Sequence, residues 1–285
     1  MKKILVTGAS GQLGRCLKDA SLNYPAFNFH FADRSELDVA KRDSVKEFFA
    51  NQSFDYCINT AAYTNVEKAE SEEDAAFSTN AIGAKNLAEA CADSNTLLVH
   101  ISTDYVFDGE KRTPYLESDP TNPINSYGAS KLKGEEYIQE VCDKHLIIRT
   151  SWLYSQYGHN FLNSMLRFAE EGRDLSITTE QVGVPTNAND LAVALLEIAS
   201  TENELYGLYH FSNKGSGTWY DFAEAIFTFS EQIKNVKLAK TEQYRTFAAR
   251  PAYSILNTDK LSNNFGVRMI DWKDSLQQLI KNHKQ

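Results

Sequence analysis

Three glycines constrain this chain more than any other feature. Gly8, Gly11 and Gly14 fall in the run TGASGQLG, directly behind the short apolar stretch 4–6. A strand that ends in such a loop and opens a helix leaves the first N–H groups of that helix bare, and a phosphate can approach them only where no side chain intervenes. The GxxGxxG spacing alone also suits an ordinary strand–helix turn. Its place behind the first strand predicts dinucleotide binding, with Gly8, Gly11 and Gly14 around the pyrophosphate.

Short β-branched or apolar runs recur at 4–6, 29–32, 56–59, 97–102 and 146–150, separated by stretches of helical periodicity such as 71–91 and 126–141. Alternating strands and helices over residues 1–150 predict an α/β fold, a Rossmann-like doubly wound parallel sheet. Beyond Thr150 the rhythm changes to an aromatic-rich 152–161, a helix-like 163–171, a helical 189–199, a strand at 208–211 and a helix from Trp219. Residues 151–285 therefore read mainly as a smaller, mixed α/β substrate-binding domain. Part of 178–202 is expected to rejoin the first domain, because 190–199 carries the apolar spacing of a helix that packs on a sheet.

Composition narrows the partners. With 29 basic and 38 acidic side chains among 285 residues the formal charge is −9, opposite to that of a dedicated nucleic-acid binder, so an anionic ligand needs a local positive site. Cys16, Cys57, Cys91 and Cys142 stand far apart, with no Cys/His group at metal spacing, and read as reduced, mostly buried thiols. The apolar run behind Lys2 and Lys3 is too short for a signal peptide, and nothing approaches an 18-residue apolar span, so a cytoplasmic protein without a membrane partner is expected.

Asp33 closes the second run 22 residues beyond Gly11, about where an acid hydrogen-bonds the adenosine ribose. Arg34 beside it suits a 2′-phosphate instead, and a solvated turn is the plain alternative. Asp38 and Val39 read either as a helix cap or as an adenine contact. Further on, Tyr127 and Lys131 in SYGASK lie four apart, on one face of a helix. About one such pair is expected by chance in this composition, so the pair alone decides nothing. Thr103, 24 residues upstream in Ser102-Thr103-Asp104, ends a predicted strand at the edge where open α/β sheets bind ligands. Acid–base work near neutrality asks for a Tyr127 phenol well below its free value near 10, and a close lysine ammonium lowers it.

In this order, GxxGxxG, a Ser/Thr and YxxxK resemble an extended short-chain dehydrogenase/reductase. The blocks TGASGQLG (7–14), NTAAYTNVEKA (59–69), STDYVF (102–107), RTSWLY (149–154), QVGVPT (181–186) and ARPAYSIL (249–256) resemble the dTDP-4-dehydrorhamnose reductase family more narrowly. The resemblance implies NADPH- or NADH-dependent reduction of the 4-keto group of a dTDP-linked 6-deoxyhexose, a nucleotide sugar. It implies Thr103, Tyr127 and Lys131 as the catalytic set, with Tyr127 the proton donor. By the same resemblance Gln12, Leu13, Asp33, Asp38, Val39, Ala62, Tyr63, Thr64, Tyr127 and Lys131 join the glycines as cofactor-facing, and Thr103, Asp104, Trp152, Val66, Asn160 and Arg250 look substrate-facing. Plain alternatives are a core aromatic for Trp152, packing for Val66, a local cap for Asp104 and a surface ion pair for Arg250.

One departure matters. Some members of the family place a carboxylate early in the first helix, where Mg²⁺ helps join two subunits, whereas this chain reads Arg15-Cys16. That argues against a metal-linked dimer and leaves a homodimer open. Sugar-nucleotide dehydratases share YxxxK but carry Asp-Glu after the Thr, where this chain has Asp104-Tyr105. A related sugar-nucleotide reductase or 4-epimerase, or a non-catalytic subunit like the methionine adenosyltransferase β subunit, are the competing readings.

Overall fold

The computed structural model describes residues 1–201, 203–232, 236–242 and 245–283. Its first half runs β1 (Lys2–Thr7), α1 (Gln12–Ser21), β2 (Phe27–Ala32), α2 (Arg42–Ala50), β3 (Tyr56–Asn59), α3 (Val66–Ala69), α4 (Glu73–Phe77), α5 (Gly83–Asp93), β4 (Leu97–Thr103), α6 (Ser126–Val141) and β5 (His145–Thr150). The second half runs β6 (Leu153–Tyr154), α7 (Phe161–Glu170), β7 (Leu175–Thr178), β8 (Val182–Gly183), β9 (Thr186–Asn187), α8 (Ala188–Ser200), β10 (Gly207–His210), β11 (Gly217–Thr218), α9 (Trp219–Phe229), β12 (Leu238–Thr241), α10 (Asp259–Phe265) and α11 (Trp272–His283).

Six parallel strands form the central sheet in the order β10-β5-β4-β3-β1-β2. Alternation along the strands builds two cores. Ile4, Val6, Ile58, Leu146 and Ile148 face one side, against Leu13 and Leu17 of α1, α8 and Leu261 and Phe265 of α10. Leu5, Cys57, Leu98 and Ile147 face the other, against Val45 of α2, Leu87 of α5 and Ile138 of α6. All four cysteines are free and buried. The chain leaves β2 on one side of β1 and returns as β3 on the other, so the glycine loop after β1 sits at the reversal point of strand order, where doubly wound sheets bind ligands.

A third cluster, from α7, α9 and α11 with Tyr154 and Val184, lies apart from both sheet cores. Besides α10, two further elements of the second half belong to the sheet. Helix α8 packs on α1, and β10 pairs with β5 in parallel. The strand at 207–210, read from sequence as part of the smaller domain, is thus the sixth strand of the main sheet. The helical stretch 71–91 is interrupted by a π-helical turn, Ser78–Ile82, which breaks the simple 3.6-residue repeat. Among the described residues no helix is long and apolar enough to cross a membrane.

Candidate active site

The site is built on the strand ends. Gly8 leaves β1 at φ +64°, and a Cβ there would sit 2.6 Å from the Ala61 nitrogen; one on Gly14 would sit 2.6 Å from the Gly8 carbonyl oxygen. Gly11 caps α1 without a side chain, and the first turn holds no acid. The loop therefore presents bare N–H groups and the positive end of a helix dipole, a cradle that fits a dinucleotide pyrophosphate. Leu13 contributes backbone only, because its side chain is in the core. Gln12 reaches away from the loop, donating to the Leu153 carbonyl (3.2 Å) and accepting from Asn160 (2.7 Å).

Asp33 follows β2. Its Oδ1 accepts from the Ser35 amide and hydroxyl and from the Glu36 amide, which holds the carboxyl below its usual range and makes the local turn that the sequence left open. Arg34 is solvent-exposed, 3.7 Å from Asp38. Val39 turns its side chain into the second core while Asn86 donates to its carbonyl, which leaves only its backbone to face a cofactor. After β3, Ala62, Tyr63 and Thr64 form a loop fixed by Asn80, which accepts from the Tyr63 amide (2.8 Å) and donates to the Tyr63 carbonyl and the Ser130 hydroxyl (3.0 Å each). Asn80 lies in the π-helical turn. Sequence reasoning missed it, because one asparagine inside a helical pattern carries no signal.

Thr103 ends β4, donating to Asp104 (3.0 Å) and accepting from the Tyr105 amide (3.2 Å). Asn125 caps α6 and anchors it to the Ala249 carbonyl. Gly128 lets α6 come close, since a Cβ there would lie 2.1 Å from the Tyr105 carbonyl oxygen. Tyr127 is half-buried and edge-on to Tyr105 at 5.8 Å. Burial pushes its phenol up to about 12, with the Thr103 hydroxyl, as a donor to the phenol oxygen, opposing and the Asp104 charge adding. The expected depression of the phenol is therefore absent here. Desolvation outweighs the lysine, because the Lys131 Nζ turns to the Ile101 carbonyl (2.6 Å) and His100 (3.2 Å). Lys131 is 2% exposed, and burial pushes it down to about 8 against the field of Glu135. Glu135 is clamped by Arg149 at 2.6–3.2 Å and by Ser102, joining α6 to β5 and β4.

Trp152, just past β5, adopts φ +44° and stacks on Trp219 at 3.8 Å and 9°. A Cβ on Gly183 would strike its ring at 2.6 Å, so Gly183 makes room for the indole. Trp219 donates to Gln181. This partner escaped the sequence reading because an aromatic at a helix start looks like core. Asp104, 2% exposed and beside Thr103 and Ser254, has its carboxyl pushed up to about 7 by burial. Asn160 caps α7, its Nδ2 spent on Gln12, Ser155 and Tyr157. Arg250 pairs with Glu67 (2.7 Å), the neighbour of Val66, and Glu67 also accepts from the Phe247 and Ala248 amides. The ion-pair alternative for Arg250 is thus present in the structure.

The glycine loop, Asp33, Ala62, Tyr63, Thr64, Thr103 and Trp152 lie at or just past the C-terminal ends of parallel strands. The whole chain, residues 1–285, matches the family model described as RmlD substrate binding domain. The dTDP-4-dehydrorhamnose reductase of Sinorhizobium fredii is 39% identical to it over 98% of this chain and 96% of its own. The chain belongs to the dTDP-4-dehydrorhamnose reductase family. A crystal structure of a dTDP-4-dehydrorhamnose reductase from Clostridium acetobutylicum superposes with a TM-score of 0.94 at 38% identity, covering 99% of this chain and 100% of that one. A second family structure, from Bacillus anthracis in complex with NADP, gives 0.93 at 39% identity and covers 99% of each chain. Membership makes this chain an oxidoreductase on a Rossmann-type sheet, and sets aside the non-catalytic reading.

Proposed function

We propose that the protein reduces the 4-keto group of dTDP-4-dehydro-L-rhamnose to give dTDP-L-rhamnose, using NADPH or NADH. The observation that carries this reading is the placement of Thr103 at the C-terminal end of β4 next to Tyr127 of α6, with Lys131 one turn further along that helix, on the same C-terminal side of the sheet as the glycine loop after β1. A reduced nicotinamide held along that edge supplies the hydride. Gly8, Gly11 and Gly14 admit the pyrophosphate, and α1 opposes its charge with the N–H groups of Gln12 and Leu13. Asp33 keeps Oδ2 outside the local turn for a ribose hydroxyl, while exposed Arg34 can meet a 2′-phosphate, so both cofactor forms are accommodated.

Tyr127 remains protonated at neutral pH, as a proton donor must, and delivers that proton to the oxygen that becomes the sugar 4-hydroxyl. Thr103 orients the carbonyl. Lys131 in its ammonium form stabilises the phenolate left behind. Asp104 and Trp152 border the sugar nucleotide, with Val66 at the start of α3 and Arg250 towards the diphosphate, where a guanidinium forks onto phosphate oxygens. Asn160 acts by holding Gln12. A metal-linked dimer has no support at the start of α1, where the Arg15 guanidinium lies 3.8 Å from the Tyr157 ring centre and Cys16 is buried. A soluble cytoplasmic location completes the reading.

The test is NADPH or NADH oxidation with freshly made dTDP-4-dehydro-L-rhamnose. Stoichiometric release of oxidised cofactor and dTDP-L-rhamnose is expected; an epimerase would recycle its cofactor. Tyr127→Phe should lower kcat by about 10²–10⁴, the usual worth of a positioned general acid, with cofactor binding retained. Wild-type turnover in that variant would refute the mechanism.

A further inference from the structure

Beneath Lys131 runs a line of buried polar groups that none of these roles uses. The Thr7 hydroxyl donates to Asn59 Oδ1 (2.6 Å), Asn59 Nδ2 lies 2.9 Å from His100 Nδ1, and His100 Nε2 lies 3.2 Å from Lys131 Nζ. All four side chains are at most 2% exposed.

The backbone fixes the direction of this line. The Ala61 N–H can only donate, and it meets one end of the Asn59 amide at 3.1 Å, so that end is the oxygen. The other end, the NH₂, faces His100 and can only donate. His100 Nδ1 must then accept, which places the single hydrogen of a neutral imidazole on Nε2. That Nε2–H points at Lys131. An ammonium offers three donors and no lone pair, so it would oppose this hydrogen, whereas an amine nitrogen would accept it.

We propose that His100 is a positioning residue for Lys131, donating from Nε2 to Nζ and so favouring the amine form of the lysine, which in turn donates to the Ile101 carbonyl. Burial and the lysine hold His100 well below its usual range, which keeps the ring singly protonated. The lysine's own lowered value, about 8, points the same way. The other charged group acting on this pair is Glu135 on α6, which opposes the effect while bound to Arg149 of β5; Tyr127 lies one turn back on α6, with Asp104 acting on its phenol. Thr7 and Asn59, from β1 and β3, carry no charge. The consequence is that the cation which supports a Tyr127 phenolate is present only below the pKa of the lysine, so reduction should fail as pH rises past it.

This inference rests on the role given to Lys131 above, and two measurements keep the two separable. Nitrogen-15 spectra of histidine-labelled protein, with His100 assigned by its loss in His100→Gln, report the tautomer without any turnover. The ring hydrogen is expected on Nε2; finding it on Nδ1, or on both nitrogens, overturns the proposal. The second measurement is the pH profile of kcat for wild type and Asn59→Asp. A carboxylate at 59 accepts from Nδ1–H, turns Nε2 into an acceptor and favours the ammonium, so the basic limb should move from near pH 8 upward by about one pH unit. A tautomer that switches in Asn59→Asp while the limb stays in place also overturns it. Wild-type protein with hydrogen on Nε2 but no reductase turnover would support the tautomer and refute the function.

Discussion

Residues at the strand ends of the six-stranded sheet and residues of the C-terminal half reach the same site by different means. The glycine loop, Tyr63, Thr103 and Tyr127 sit where strands stop or helices start, and backbone hydrogen bonds and caps set their places. Trp152, Asn160 and Arg250 sit on loops or beside two-residue strands, and a ring stack, a helix cap and an ion pair hold them. A strand end is tied to the two sheet cores, whereas a ring stack or a half-exposed ion pair is local. The first kind should fail with the fold, and the second should fail in binding while the fold survives.

The sharpest test lies in the clamp between Glu135 and Arg149, both at most 3% exposed and linking α6 to β5 beneath Lys131. Glu135→Gln leaves the guanidinium buried without its counter-charge, which costs about 3–5 kcal/mol of global stability. Urea unfolding monitored by far-ultraviolet circular dichroism measures it. A loss under about 1 kcal/mol would mean that the sheet half tolerates local damage as the other half does, and the contrast would collapse.

Asp104 stands where the two regions meet, and there the contrast becomes a pH dependence. Its carboxyl titrates near 7 in the folded protein against an ordinary 3.8, so between those values the folded state binds more protons than the unfolded one. Stability from this group is therefore present at low pH and is lost as pH rises from about 4 through 7. Asp104→Asn removes the buried charge and should raise stability at pH 8 by up to about 4 kcal/mol, a gain that shrinks as pH is lowered to 5. The same variant should bind nucleotide sugar less tightly. Equal gains at pH 5 and pH 8 would show that the carboxyl is not the group responsible.

The same contrast explains what could be read from the sequence. Strands β1 to β5 announce themselves because every second residue is apolar on each face, and Tyr127 and Lys131 because a helix repeats every 3.6 residues. The Trp152–Trp219 stack and the Arg250–Glu67 pair join positions far apart in the chain, 183 residues in the second case, and two-residue strands have no period to detect. Strands β7 and β12 and helix α10 are too short to show a period, whereas α11, unread as well, carries Trp272, Leu276, Leu279 and Ile280 at helical spacing. Motif resemblance pointed to Trp152 and Arg250, but to neither Glu67 nor Trp219. Burial, which raises the Tyr127 phenol and lowers the Lys131 ammonium, is what sequence spacing does not show.

The smallest expected effect on the fold, and the one that separates the two regions most cleanly, belongs to Arg250. Its partner Glu67 is held below its ordinary range by Arg250 and by the Phe247 and Ala248 amides, against the opposing effect of its own burial. With side chains 23% and 39% exposed, the pair adds at most about 1 kcal/mol to stability after solvent screening. A diphosphate bound by the guanidinium would gain more, about 1.5–3 kcal/mol from charge-assisted hydrogen bonds in an otherwise acidic protein. Arg250→Ala should therefore raise the KM for nucleotide sugar by roughly 10–150-fold, shift kcat less, and leave the unfolding midpoint almost unchanged. Glu67→Gln, which removes the counter-charge while leaving the guanidinium in place, should raise KM far less than Arg250→Ala. Kinetics unchanged in Arg250→Ala together with a lowered midpoint would make Arg250 a structural ion pair, and the substrate-facing surface would then end at Trp152 and Asp104.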